Sequence, residues 1–352
     1  MITCDSTPHA SVSDAANQAG SFRFLDMKEA LSLDRQVDRL REHGITVTDD
    51  DKAAKWLSET NYYRISGYWL TLEHDDKIIP GTTLDDIRAI YLLDEGLRLW
   101  LWKAIEPVEI KARTTFAYHM SLALGPIAHE DPNNFTDAKA HKKSMDSYHR
   151  ERKRALGDGI PCVKHNMSKY GDLPAWAAVE IMSMGTVSRL IGNLSPSAAY
   201  PSGRSVRDAI ADEFGTTYYI LKSWLRHLTY VRNLCGHHNR IYNRSMTTKV
   251  TMLKKDLRFS SPKVFPSIIT LMRIYENLWP DRWNELATDL IELFDSRPTV
   301  DIIPLGFPSD WRQIIKPRER ETQTSSANAA VRCATSSSMP DTTAPAVAAG
   351  MG

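Results

Sequence analysis

The sequence has few cysteines, no long apolar run and no excess of charge of either sign. Its cysteines, Cys4, Cys162, Cys235 and Cys333, are far apart, which argues against a disulfide framework and favours a reducing cytoplasm. No segment is apolar and uncharged for long enough to span a bilayer, so no membrane protein is predicted. The 44 basic and 43 acidic side chains give a net charge of +1, which excludes a globally basic nucleic-acid coat but allows a local basic face.

Several well-known catalytic motifs are also absent. The chain has no Gly-x-x-x-x-Gly-Lys loop, no His-Glu-x-x-His and no Gly-x-Ser-x-Gly, so ATP-driven and serine-hydrolase chemistry have no basis in it. Cysteine and histidine side chains are available as metal ligands, but their spacing matches no standard zinc pattern. Neither a metal ion nor another cofactor is therefore predicted, and a metal-dependent nuclease is the weaker alternative.

Apolar side chains recur at helical spacing through the middle of the chain, while strict alternation and hairpin turns of the Asn-Gly or Asp-Gly type are scarce. The predicted fold class is therefore all-α, a multi-helix bundle. Both ends, 1–21 and 317–352, are rich in small and polar residues and are predicted to be disordered, leaving a helical domain over 22–316. Helices are predicted over 84–123 with a kink or break at Pro107, and over 137–156, 174–194, 206–214, 217–235, 266–278 and 282–294.

We call the segment 217–240 the motif helix. The residues best suited to chemistry lie close together at its end: Arg232, Asn233, His237, His238 and Arg240. Gly236 is expected to end the helix in a left-handed conformation, and the following turn would bring the two histidines back towards Arg232. A guanidinium binds a phosphate at two points, and an imidazole transfers a proton near neutral pH. Together they suit cleavage of RNA without a metal. The alternative is that these side chains only cap a helix end.

The region around this segment is strongly basic. From 215 to 255 there is no Asp or Glu, which favours a phosphate-bearing partner such as RNA. The alternative is a solvated basic face or one that pairs with acidic helices. The side chains expected to contact the RNA backbone are Arg226, Arg244, Lys249, Lys254 and Lys255.

Two carboxylates are expected to form ion pairs. Glu180 falls on the apolar stripe of the helix predicted over 174–194, so its charge needs a partner, and Arg232 or a histidine is one candidate. An ion pair with any other arginine is the alternative. Glu109 and Arg113 have the spacing of an ion pair within one helix.

The segment 232–243 resembles the motif of bacterial abortive-infection proteins of the AbiD/AbiF type. Three further blocks agree with that family in the right order, at 61–69, 174–188 and 305–311. The motif is also similar to that of HEPN ribonucleases, in which an arginine and a histidine lie a few residues apart. Both His237 and His238 fit that spacing from Arg232.

The resemblance implies a HEPN-like helical bundle and phage defence through RNA cleavage that halts the infected cell. Arg232 would bind the scissile phosphate, His237 would transfer protons with His238 as the alternative, and Asn233 would orient the histidine or the phosphate. Glu180 and Arg240 would contact these groups and position them without binding the RNA themselves. The other function left open is a non-catalytic RNA- or protein-binding module that senses infection.

The expected partners are RNA and a second copy of the chain, together with a phage trigger or a silencing partner. HEPN domains dimerise so that their motif helices face each other. The helix predicted over 217–235 has large apolar side chains around a wide arc, including Tyr218, Tyr219, Trp224 and Tyr230, as a helix between two partners would. The alternative is that this helix is central within one chain.

Overall fold

The computed structural model describes residues 29–316, which form an all-α fold. The predicted disordered ends, 1–21 and 317–352, lie outside the described residues, as do residues 22–28. None of the helices in the described part is long and apolar enough to cross a membrane. In chain order the helices are α1 (Leu33–Glu42), α2 (Asp50–Thr60), α3 (Tyr62–Ser66), α4 (Leu84–Leu124), α5 (Ala138–Gly157), α6 (Pro161–Tyr170), α7 (Ala175–Ile181), α8 (Met184–Ile191), α9 (Val206–Glu213), α10 (Tyr218–Gly236), α11 (Phe265–Leu278), α12 (Pro280–Asp295) and α13 (Trp311–Ile315).

Strand structure between residues 29 and 316 is confined to one small antiparallel hairpin and a few isolated bridges. β1 (Glu73–His74) pairs with β2 (Lys77–Ile78). Its turn residues, Asp75 and Asp76, both have positive φ angles, 51° and 58°, as a tight hairpin of this twist requires. The hairpin therefore forms without an Asn-Gly or Asp-Gly pair. Short 3₁₀ segments occur at Pro132–Asn134, Lys254–Phe259 and Ile303–Leu305.

The fold is organised around α4, which is 41 residues long and contacts α7, α8, α9, α10, α11 and α12. A capping box begins the helix, with the Thr83 hydroxyl accepting a hydrogen bond from the Asp86 N–H and the Asp86 carboxylate accepting one from the Thr83 N–H. Of the predicted kink or break at Pro107, the break is wrong, because the helix continues through it. Pro107 is buried, and the packing of α4 against six other helices offsets the roughly 3 kcal/mol that an interior proline costs.

The helix predicted over 174–194 is two helices, α7 and α8. Met182 between them is extended, with φ −70° and ψ 144°, and the Ser183 hydroxyl caps α8 by accepting a hydrogen bond from the Thr186 N–H. Arg113 of α4 donates to the carbonyls of Val179 and Met182, so these carbonyls at the C-terminal end of α7 are hydrogen-bonded. This side chain-to-backbone contact from a distant helix is why the break is not visible in the local sequence.

The motif helix is observed as α10, and it is central within the chain. Trp224 is buried and donates from its indole nitrogen to the Thr251 carbonyl over 3.0 Å. His227 is hydrogen-bonded to the Thr248 carbonyl at 2.6 Å and to the Ser267 hydroxyl at 2.7 Å. Tyr219 is 71% exposed, whereas Tyr218 and Tyr230 are half-buried against the core. The wide apolar arc of this helix is thus largely covered by its own chain.

A buried imidazole lies beneath α5. His129 is fully buried, with its ring 5.6 Å from the ring of Tyr148 in an edge-on arrangement. Neither imidazole nitrogen has a hydrogen-bond partner within residues 29–316. Burial lowers the pKa of His129 to about 4, and the nearby carboxylates of Glu130 and Asp172 oppose this shift only in part.

The stability of the fold should therefore fall as the pH drops from about 6.5 to about 4. In that interval the unfolded chain binds a proton at this histidine and the folded chain does not, at a cost of about 3 kcal/mol over the interval. We expect His129→Phe, which keeps a ring against Tyr148, to remove this part of the pH dependence. Urea unfolding at several pH values measures it, and equal slopes in the two proteins would contradict the prediction.

Candidate active site at the end of the motif helix

The helix end that carries the motif turns sharply after Gly236. The His237 N–H donates to the Asn233 carbonyl over 3.0 Å, and the Asn239 N–H donates to the Leu234 carbonyl over 2.9 Å. The prediction that Gly236 is left-handed is wrong, because His238 has the positive φ, 54°. Glycine is needed at 236 for another reason: a Cβ there would lie 2.9 Å from Cζ3 of Trp102.

Arg232 contacts two neighbours on α4. Its guanidinium lies over the ring of Trp102, 4.7 Å from the ring centroid, and its Nε is 3.4 Å from Oε2 of Glu109. Within residues 29–316 its terminal nitrogens make no hydrogen bond, and its side chain is 35% exposed. A guanidinium oriented in this way can bind an anion with its free edge.

Glu109 connects Arg232 to the interior. Its other carboxylate oxygen accepts a hydrogen bond from Arg113, so the predicted ion pair within α4 is confirmed. Arg113 in turn contacts the carbonyls at the end of α7. Glu109 is therefore held between two guanidinium groups and shares its charge between them.

A groove of about 390 Å³ opens beside Trp102. The residues that line it are Glu95, Arg98, Leu99, Trp102, Cys235, Gly236 and His238. Trp102 is thus the common neighbour of Arg232, which lies over its ring, and of His238, which lines the same groove. His237 and Asn233 are exposed and do not line the groove.

A buried carboxylate, Asp94 of α4, holds the turn after the motif. Its Oδ1 accepts hydrogen bonds from the N–H groups of Ile241 and Tyr242 at 3.0 and 2.7 Å. Its Oδ2 accepts from the Tyr68 hydroxyl at 2.7 Å and from the Arg98 guanidinium. Desolvation raises the pKa of the Asp94 carboxyl, and these donors oppose that rise.

The block at 61–69 packs directly against the motif. Arg64 donates to the His238 carbonyl over 2.6 Å, which helps to hold the left-handed residue in place. Arg240 lies over the ring of Tyr68, 5.9 Å from its centroid, and a Cβ on Gly67 would lie 3.5 Å from its Nε. Burial lowers the pKa of Arg240. The contacts of Arg240 with Tyr68 and Gly67 place it against the block at 61–69.

The structure does not bring Glu180 to Arg232. Glu180 is exposed, and it lines a different groove together with Trp176, Thr114 and Tyr118. The prediction of a buried Glu180 is wrong because the chain leaves the helix at Met182, so Glu180 and Met184 belong to different helices. The carboxylate beside Arg232 is that of Glu109 instead of Glu180. In the sequence, the i, i+4 spacing of Glu109 and Arg113 indicates that Glu109 forms ion pairs.

The remaining predicted RNA-binding side chains lie in two places. Arg226 lines a second cavity on α10, and the others lie in the segment after the motif, where Arg244 is half-buried and Lys249, Lys254 and Lys255 are exposed. None of these four lines the second cavity.

The cysteine at the motif is not suited to nucleophilic chemistry. Burial raises the pKa of Cys235 to about 12, so it remains a thiol at neutral pH. Across residues 29–316, no three His, Cys, Asp or Glu side chains lie close enough together to hold a metal ion.

The close approach of Gly236 and Trp102 can be tested by a double-mutant cycle. We expect Gly236→Ala to destabilise the wild-type protein by about 1 kcal/mol, because the new methyl group displaces the indole ring. In a Trp102→Ala background the same change should stabilise the helix by about 0.5–1 kcal/mol. Urea unfolding of the four proteins measures the coupling, and additive effects would contradict the contact.

Comparison with known proteins bears on these contacts. A model of the Abi-like protein family matches residues 55–243, more than half of the chain. Neither a curated protein nor a solved structure matches the chain significantly. The matched region includes Tyr68, Asp94 and Glu109 as well as the segment from Arg232 to Tyr242, and therefore the contacts that Asp94 makes with the turn and that Glu109 makes with Arg232. The chain belongs to the Abi-like protein family.

Proposed function

We propose that the protein acts in abortive infection as a metal-independent, cytoplasmic endoribonuclease of the HEPN type. Membership of the Abi-like family supports the role in phage defence. The observation that carries the ribonuclease mechanism is the position of Arg232, fixed by Glu109 and Trp102 with its terminal nitrogens free, beside a groove lined by His238.

Arg232 binds the scissile phosphate. Its two free nitrogens match two phosphate oxygens, and the fixed charge stabilises the extra negative charge that develops on those oxygens during cleavage. Glu109 and Trp102 hold the guanidinium in one orientation, so little conformational entropy is lost when the phosphate binds.

His237 and His238 transfer the protons. The 2′-hydroxyl of the ribose loses a proton and attacks the phosphorus, the bond from phosphorus to the 5′-oxygen breaks, and that oxygen gains a proton. The products are a 2′,3′-cyclic phosphate end and a 5′-hydroxyl end. One imidazole acts as base and another as acid. His238 lines the groove, and His237 or its copy in a second chain is the other carrier, with Asn233 orienting it or the phosphate.

A homodimer is part of this proposal, and its interface is an exposed apolar ridge on α4. Because α10 is largely covered by its own chain, the support for dimerisation comes from α4 instead. Leu99, Trp102, Ile110, Tyr118 and Leu122 are all at least 40% exposed, and at about 100° per residue they form a line that winds gradually around the axis of the helix. The ridge runs past Glu109 and Arg232, so a symmetric pairing along it would place two motifs close together.

Control of the enzyme requires a further partner. An enzyme that cleaves cellular RNA is toxic to its host, so a phage trigger or a silencing partner belongs to the same proposal. The ridge on α4 is a surface that such a partner would also reach.

The catalytic proposal predicts large losses of activity without loss of folding. We expect Arg232→Ala and the double change His237→Ala with His238→Ala each to reduce RNA cleavage about 10²–10⁴-fold or more, because each removes a positioned group. His165→Ala, an exposed histidine on α6, is the matched control and should cleave like the wild type. Cleavage of labelled RNA in the presence of EDTA measures the rates.

Two outcomes decide against this mechanism. Cleavage that survives in the Arg232 and histidine variants would show that other groups carry the chemistry. A wild-type protein that binds RNA or a phage protein without cleaving RNA would favour the non-catalytic binding module.

The dimer proposal predicts a monomer when a charge is placed on the ridge. We expect the wild type to be dimeric at micromolar concentration and Ile110→Glu to be monomeric and inactive, since a glutamate there must be desolvated on pairing. Ile303→Glu, at a more exposed apolar position outside the ridge, should remain dimeric. Light scattering measures the mass, and a fully active wild-type monomer would contradict the composite site.

A further inference from the structure

A second cavity, of about 700 Å³, lies along the N-terminal half of α10 and is lined by four basic side chains. Arg189 comes from α8, Arg207 from α9, and Lys222 and Arg226 from α10. We call it the cationic cavity. Four positive charges converge here from three helices, although the whole chain is close to neutral.

Most of this charge is not neutralised by the protein. Within residues 29–316, Arg189, Lys222 and Arg226 make no ion pair with a carboxylate. Arg207 has one weak ion pair, with its Nε 3.7 Å from the Asp208 carboxylate. Asp137 also lines the cavity, but one of its carboxylate oxygens accepts two backbone N–H groups, at 2.8 and 3.0 Å, as the cap of α5. An anionic ligand would supply the missing negative charge.

Three of the four cations contact neighbouring groups of the protein. The stem of Lys222 lies across Gly192, where a Cβ would be 3.2 Å from its Cγ. The guanidinium of Arg207 lies over the ring of Tyr218, 4.8 Å from the centroid, and Arg189 donates to the Thr186 hydroxyl over 3.1 Å. Groups that are already ordered lose less entropy when a ligand binds.

The exposed face of α10 connects the cationic cavity to the motif. Its exposed side chains are Tyr219, Lys222, Arg226 and Asn233, followed by His237 at the helix end. Successive members are three, four, seven and four residues apart, which places them on one face of a helix. Arg226 and His237 are about 16 Å apart along the helix axis, at 1.5 Å per residue.

We propose that the cationic cavity binds phosphodiester groups of the RNA strand whose scissile bond lies at Arg232 and His237. The identity of the ligand rests on the proposed function, since a strand that is cut at the motif must continue along one of the surfaces next to it. The ring of Tyr218 is covered by Arg207, so the cavity holds the backbone and offers no free ring for stacking of a base.

Binding of an RNA that cannot be cleaved tests this inference separately from catalysis. The probe is a labelled RNA of about 12 nucleotides, within the range of single-strand site sizes, with 2′-O-methyl groups at every position. We compare the wild type with the double variant Lys222→Gln, Arg226→Gln. The matched control is Lys164→Gln, Lys169→Gln, which removes two exposed charges from α6. Fluorescence anisotropy at several salt concentrations gives Kd and its salt dependence.

We expect the cavity variant to bind about tenfold more weakly and the control to bind like the wild type. The slope of log K against log salt should fall by about 1.4, for two phosphate contacts on a single strand. Unchanged affinity and slope in the cavity variant would overturn the inference, as would a wild type that does not bind the RNA.

Two parallel measurements separate the remaining outcomes. In the first, AMP binding is compared between the wild type and the cavity variant. If AMP binds only the wild type, and the variant keeps its affinity for RNA, the cavity is a free-nucleotide site and the inference is overturned. Cleavage of the unmodified RNA is followed alongside. If the cavity variant loses RNA binding and the wild type does not cleave RNA, the inference is supported and the ribonuclease mechanism is contradicted. If the variant binds and cleaves RNA normally, only the inference is contradicted.

Discussion

The buried carboxylate of Asp94 is the constraint on which the motif depends. It binds the backbone of Ile241 and Tyr242, the hydroxyl of Tyr68 and the guanidinium of Arg98, so one side chain joins three parts of the chain that are far apart in sequence. A carboxylate buried in this way is stable only when all of its donors are present, because an unpaired buried charge costs several kcal/mol. The turn after α10 therefore has one position relative to α4.

α4 also holds the other half of the site. It provides Trp102 and Glu109 to Arg232, and the same helix presents the apolar ridge along which a second copy is proposed to pair. A proline in its interior would ordinarily break such a helix, but the helices packed around α4 keep it continuous. A rigid helix that carries both the arginine's partners and the proposed interface would couple dimerisation to the geometry of the site. The cationic cavity at the other end of α10 is where the strand beyond the scissile bond is proposed to bind.

The sequence predicts the helices well where their signal is local. Apolar periodicity identifies α4 and α10, and the i, i+4 rule identifies the pair of Glu109 and Arg113. The errors occur where distant groups decide the outcome. Arg113 stabilises the break between α7 and α8, after which Glu180 is exposed to solvent. The ring of Trp102 leaves no room for a Cβ at residue 236, so glycine is needed there. The contacts of Asp94 were missed for the same reason, since hydrogen bonds between residues far apart in the chain leave no periodic pattern.

In the proposed mechanism, the 2′-hydroxyl at the scissile bond is the nucleophile at the Arg232 site. The most direct measurement places a single 2′-deoxy nucleotide at a mapped cleavage position in an otherwise unmodified RNA and follows cleavage by the wild-type protein. We expect cleavage to stop at that bond alone, and the unmodified RNA to yield 2′,3′-cyclic phosphate ends. Cleavage of the deoxy-substituted bond at an unchanged rate would contradict it, because a water molecule or another nucleophile would then be attacking the phosphorus.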